Sequence, residues 1–207
     1  VLAAGRLYVA DTLNNLIRTI DPDTGVAGTL AGVPGRTGFF DGAGREARFN
    51  QPIGITAGEG GLFVSDSVNQ TIRRVDPESG RVSTLAGSSG KSGGADGKGP
   101  AARFNQPFGL AAARGRLYVS DTWNHTIRVI NLADNRVTTL AGSGAAASVD
   151  GYGQGASLNS PRYMASDNVH SLAEEMGWWD PDSGEPFRFA YAYASRTSLY
   201  SRRREWR

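Results

Sequence analysis

Leu62 to Gly87, LFVSDSVNQTIRRVDPESGRVSTLAG, is a passage that this chain writes three times in nearly the same letters. Leu7 to Gly32 reads LYVADTLNNLIRTIDPDTGVAGTLAG, and Leu117 to Gly142 reads LYVSDTWNHTIRVINLADNRVTTLAG, so successive starts lie 55 residues apart. A fixed period of this size marks a repeat architecture, in which one supersecondary unit stacks on the next because no unit buries its apolar face alone.

Each copy resolves into short strands. Leu7-Tyr8-Val9 stops at Asp11-Thr12, Ile17 to Ile20 is a second β-rich run, and Val26 to Leu30 is a third. Between the second and third stand Asp21-Pro22-Asp23-Thr24-Gly25 and Asp76-Pro77-Glu78-Ser79-Gly80, where Pro presets φ and Gly supplies a positive φ, which is hairpin chemistry. Pro52-Ile53-Gly54-Ile55-Thr56 and Pro107-Phe108-Gly109-Leu110-Ala111 precede these runs as a short, apolar innermost strand. Four antiparallel strands per period describe the blade of a β-propeller.

LYVADTLNNLIRTID, LFVSDSVNQTIRRVD and LYVSDTWNHTIRVIN resemble NHL repeats, the blades of NHL β-propellers, and the resemblance spans residues 1–161. It implies a binding scaffold, usually for protein and sometimes for RNA, and it does not by itself imply catalysis.

Composition narrows the classes further. With 22 Lys and Arg against 20 Asp and Glu the net charge is +2, well short of the basic footprint of a non-specific nucleic-acid binder. No stretch approaches the roughly 18 apolar residues of a membrane span. Absence of cysteine excludes disulfides, thiolate metal sites and a cysteine nucleophile within these residues, and nothing in the composition points to a compartment.

Taken in order, Val1 to Arg6 aligns with Ala111 to Arg116, so the first blade is expected to lack its inner strand. Gly32 to Gln51 and Gly87 to Gln106 are Gly-rich inserts that share Asp-Gly-x-Gly and Ala-Arg-Phe-Asn-Gln-Pro. They lengthen the period beyond the roughly 40 to 45 residues usual for a blade. A third insert keeps Asp150-Gly151-Tyr152-Gly153 and Leu158-Asn159-Ser160-Pro161, after which Arg162-Tyr163-Met164 departs from the pattern and the repeat ends in mid-blade. In the remainder, Val169, Leu172, Ala173 and Met176 lie on one helical face and predict a helix near 167–176. Phe187, Phe189, Tyr191 and Tyr193 then alternate with Arg188, Ala190 and Ala192, which suits a strand and does not exclude a helix. MASDNVHSLAEEMGWWDPDSGEPFRFAYAYASRTSLYSRRREWR resembles an internal segment of the secernin-like dipeptidases, N-terminal-nucleophile hydrolases whose nucleophile is a cysteine; this chain has none to fill that role. The expected organisation is an all-β, unclosed partial propeller of about three four-stranded blades over residues 1–161. A short α+β, dipeptidase-like segment follows over 162–207, as in a fragment or chimera.

Asp11, Asp66 and Asp121 each precede Arg18, Arg73 and Arg128 by seven residues, with Asn14, Asn69 and Asn124 between them. A carboxylate at a strand end accepts turn N–H groups and pairs with an Arg on the returning strand, so this recurring set reads as scaffold. The Asp-Gly-x-Gly segments offer one carboxylate each, and His125 and His170 are the only histidines, so no metal and no cofactor are expected. Departures from the repeat carry the functional expectation. Trp123 and His125 replace smaller residues in a turn, and Phe39-Phe40 stands where the second insert has Gly94-Ala95. In an antiparallel blade the turn between the second and third strands shares a face with the inserts, which makes Phe39, Phe40, Trp123 and His125 the candidate anchors for a protein partner. Open blade edges also allow self-association. A non-catalytic scaffold is the expected function, with a dipeptidase fragment lacking its nucleophile as the alternative.

Overall fold

The computed structural model describes residues 1–166. These form three antiparallel sheets, each built by consecutive strands. Blade 1 comprises β1 (Leu2–Ala3), β2 (Arg6–Asp11), β3 (Leu16–Ile20) and β4 (Ala27–Ala31), and blade 2 comprises β5 (Pro52–Gly58), β6 (Gly61–Asp66), β7 (Thr71–Val75) and β8 (Val82–Gly87). In blade 3, β10 (Pro107–Ala113), β11 (Arg116–Asp121), β12 (Thr126–Asn131) and β13 (Arg136–Ala141) follow the same course. There the second insert adds a fifth strand, β9 (Gly97–Lys98), along the outer edge of β13. The described residues form an all-β partial propeller whose ring is not closed. Its described helices are short 3₁₀ turns, and none is long and apolar enough to cross a membrane.

The predicted turns form as their residues dictate. Asp21 and Asp76 fold the hairpin between the third and fourth strands of their blades by accepting the N–H groups of the residues two and three positions on, and Gly25 and Gly80 close it at φ of 70° and 69°. One expectation is corrected: blade 1 keeps a two-residue inner strand, with Leu2 opposite Leu7 and Ala3 opposite Arg6. The reason lies in the turn. Ala4-Gly5 at φ 46° and 73° repeats the reversal of Arg114-Gly115 at φ 51° and 67°, which returns Leu2 and Ala3 along β2.

The sharp break read after Pro161 also softens. Thr122 Oγ1 donates to the Pro161 carbonyl as Ser67 Oγ does to Pro107, and the Arg162 carbonyl stands against Gly109 as the Phe108 carbonyl does against Gly54. Pro161–Ser166 therefore keeps to the path of a further inner strand. The helix expected near 167–176 and all of the dipeptidase-like segment beyond Ser166 lie outside the described part.

The core sits between blades, because alternate residues of a strand point to opposite faces. Leu62 and Val64 pack toward blade 1, with Tyr8, Ile17 and Phe49, whereas Phe63 packs toward blade 3, with Phe104, Leu117 and Val119.

Candidate functional site

Arg73 stands on β7 with its side chain fully buried. A guanidinium carries five N–H donors that need acceptors, and the fold gathers them from three places. Nη1 donates to Asp66 Oδ2 at 2.7 Å and to the Arg48 carbonyl at 3.1 Å, while Nη2 donates to Asp41 Oδ1 at 2.5 Å and to the Phe40 carbonyl at 3.0 Å. Phe39 and Phe49 place their rings 4.7 and 5.3 Å from the guanidinium carbon. Blade 3 repeats the arrangement: Arg128 donates to Asp121 at 2.8 Å, to Asp96 at 2.7 Å and to the carbonyls of Arg103 and Ala95, with the Phe104 ring 5.4 Å away. Nε of each arginine finds no acceptor among the described residues.

The buried aspartates are equally occupied. Asp66 accepts from the Asn50 N–H at 2.7 Å and from Asn69 Nδ2 at 2.8 Å, and Asp121 accepts from Asn105 and Asn124 in the same way. Burial pushes both carboxyls above the ordinary aspartate range, against the opposing pull of these donors and the arginines. Blade 1 uses the same letters in a wetter setting. Arg18 reaches Asp11 at 3.3 Å, and the two side chains are 30% and 26% exposed.

The inserts act as straps, a role that a count of one carboxylate per Asp-Gly-x-Gly segment does not suggest. Asp41 accepts from Arg73 of the following blade and from the N–H and hydroxyl of Thr84, and Asp96 accepts from Arg128 and the hydroxyl of Thr139. Burial pulls the Asp96 carboxyl up, but the Arg128 and Thr139 donors outweigh it and hold it below the ordinary value. Gly42 bridges to Val82 and β9 pairs with β13, so each strap also covers the outer edge of its blade. Phe49 and Phe104, wholly buried, plug the strap into the junction. One signal was available: the spacing of Asp41 to Arg73 and of Asp96 to Arg128 is 32 residues in both.

Asn69 donates to the Gly38 carbonyl and Asn124 to the Gly93 carbonyl, which fixes the inserts and the turns between the second and third strands on one face. On that face Phe40 and Trp123 remain 58% and 56% exposed, and Leu13, at the position of Trp123 in the first turn, is exposed as well. Phe39 is half committed, its ring lying over Arg73. His125 requires a correction, because it does not depart from the repeat in role. Its Nδ1 accepts the Ser160 N–H at 3.0 Å, as Asn15 Oδ1 accepts from Gln51 and Gln70 Oε1 from Gln106. All three acceptors sit at φ of 56° to 60°, so His125 is a latch between a turn and its insert. The opposite face is charged instead, with Glu59, Arg74, Arg114 and Arg116 lining a cleft between blades 2 and 3. Among the described residues no group of three or more His, Asp or Glu is placed to hold a metal ion.

With this geometry in place, comparison with known proteins defines the class. Residues 104–130 match the NHL repeat, and the segment built by its three copies is NHL-type. The chain is 39% identical over 145 residues to Protein SUPPRESSOR OF QUENCHING 1, chloroplastic, of Arabidopsis thaliana, covering 64% of this chain and 14% of that protein. It is 34% identical over 144 residues to NHL repeat-containing protein 2 of Bos taurus, covering 65% of this chain and 20% of that one. The chain thus spans a fifth or less of the length of these relatives. Among solved structures, a structural genomics protein of unknown function from Bacteroides thetaiotaomicron VPI-5482 shares the fold with a TM-score of 0.65 at 21% identity, covering 80% of this chain and 40% of its own. The dipeptidase resemblance finds no support in these comparisons.

Proposed function

We propose that residues 1–166 are a non-catalytic scaffold that binds a protein partner on the insert face. The observation that carries this reading is the contrast between frame and loop. Arg73 and Arg128 are held by buried acids and backbone carbonyls, while Phe40 and Trp123 project from the loops that those arginines pin. Rigid loops with exposed aromatic anchors suit protein recognition, since an anchor that is already ordered loses little entropy on binding. The near-neutral charge and the NHL-type repeat support a protein partner over nucleic acid.

The test pairs binding with stability. Partners captured on the intact chain are re-measured with Trp123→Ala and Phe40→Ala. Loss of a buried anchor weakens binding by about 2 kcal/mol or more, whereas truncation of an exposed loop side chain changes stability by less than about 0.5 kcal/mol. Variants that bind as the parent does, or that melt far lower, would show these rings to be structural and this face to be idle.

A further inference from the structure

The face opposite the inserts holds a cleft of about 570 Å³ between blades 2 and 3, within the roughly 300–1,000 Å³ of small-molecule sites. Glu59, Gly60 and Arg74 of blade 2 line one wall, and Arg114, Arg116 and Asn131 of blade 3 line the other. β5 and β10 come together at its inner end, where a Cβ on Gly58 would stand 2.8 Å from that of Ala112. The repeat supplies its own control, because a shift of 55 residues carries each of these positions into the junction between blades 1 and 2. There Thr19, Glu59, Gly61 and Asp76 stand in the places of Arg74, Arg114, Arg116 and Asn131. Two carboxylates in one junction thus give way to three guanidiniums in the next.

The frame needs neither Arg74 nor Arg116, since it builds the preceding junction with Thr19 and Gly61. Arg74 donates through Nε to the Gly60 carbonyl, which anchors the guanidinium and leaves both Nη groups for another acceptor. Gly60, at φ 89°, makes the room, because a Cβ there would stand 2.6 Å from Arg74 Nη2. Among the described residues neither Arg74 nor Arg116 forms an ion pair. Asp76, whose carboxylate lies in the field of Arg74, is committed to the N–H groups of Glu78 and Ser79. Asn131 stands opposite Arg116 in the β11–β12 register, and its Oδ1 accepts the Ala133 N–H as Asp76 Oδ1 accepts that of Glu78. Asparagine at this place keeps the turn, removes the charge and adds an amide donor.

We propose that this cleft binds a small molecule bearing a phosphate or carboxylate group, with the oxyanion seated between Arg74 and Arg116 and accepting from Asn131 Nδ2. A guanidinium edge offers parallel N–H donors that match the oxygens of such a group. Glu59, the one acid in the lining, opposes the anion and keeps the affinity moderate. The site lies on the face away from Phe40 and Trp123, so it stands or falls separately from partner binding there.

Amide-resolved NMR titration of the full 207-residue chain with pyrophosphate and, separately, with citrate tests this. Salt at about 0.15 M screens loose ion clustering on the surface. Saturable shifts should centre on Gly60, Gly115 and Ala133, with a dissociation constant of about 1 mM or tighter for at least one of the two anions. Tighter pyrophosphate marks the ligand as phosphorylated, and tighter citrate marks it as a polycarboxylate. Arg74→Thr and Arg116→Gln should each weaken binding by about 10-fold or more, while Glu59→Gln should tighten it. Threonine already serves blade 1 at the first of these positions, and the spectrum of each variant reports directly whether the blades remain folded. Arg81→Gln, at an exposed arginine outside the lining, and Trp123→Ala should leave binding unchanged. Shifts that fail to saturate by about 20 mM, that spread evenly over the exposed arginines, or that persist in both arginine variants would overturn the proposal.

Discussion

The same three letters, Asp, Asn and Arg, have different energetic weight in different blades, and burial decides the difference. Asp121 and Arg128 are both fully buried, so removing one partner strands the other in a low-dielectric interior; Asp121→Asn should cost about 3–5 kcal/mol in urea denaturation. Asp11→Asn meets a pair open to water, and its cost should stay under about 1 kcal/mol. Equal losses in the two variants would refute this ranking. Asp96 gives the pH test. Its folded pKa lies below the ordinary 3.8, so its carboxylate adds stability above that value, and the contribution fades as pH falls through the depressed one. The wild-type chain should therefore exceed Asp96→Asn by about 1 kcal/mol near neutral pH, given the screening at a half-exposed site, and the gap should close below pH 3.8. A gap that widens on acidification would contradict the assignment. The aspartate-arginine pairs were legible because seven-residue spacing keeps both partners on adjacent strands. Asp41 and Asp96 were not, because their partners lie half an insert and two strands away. The latch role of His125 was hidden by a change of residue type that kept an acceptor at a left-handed position.

At the scale of elements, the inner strands show how close the blades come. A Cβ added to Gly54 would stand 2.1 Å from the Phe108 carbonyl oxygen, a backbone atom that cannot rotate away. Gly54→Ala should thus force blade 3 outward and cost about 1–3 kcal/mol, while Gly155→Ala, with nothing within 4 Å of the new Cβ, should leave the melting temperature unchanged. Equal melting temperatures for the two variants would show that the inner strands do not pack this closely. The same geometry explains a departure that looked like the end of the repeat. Gly109 is needed because the Arg162 carbonyl lies against it, whereas Tyr163, at the following glycine position, is exposed, and no described strand packs over it. Strand count and order were readable from period-2 runs and turn residues, since those signals are local. The strap function of the inserts was not, since β9 and the Gly42 bridge arise from contact with a blade that the chain has yet to build.

Across the described residues as a whole, stability divides between two junctions, each with its own apolar cluster and its own strap. Repeat proteins of this kind are stabilised by nearest-neighbour interfaces, so damage to one junction should leave the other standing. Phe104 is the residue that isolates the effect, being wholly buried between blades 2 and 3 and absent from the cluster between blades 1 and 2. Native-state hydrogen exchange on Phe104→Ala, a change expected to cost about 3–5 kcal/mol, measures this directly. Amides of β11 and β12 should lose protection while those of β2 and β3 keep theirs. Uniform loss across all three sheets would mean one cooperative core, and the account of a blade-by-blade strapped arc would be wrong.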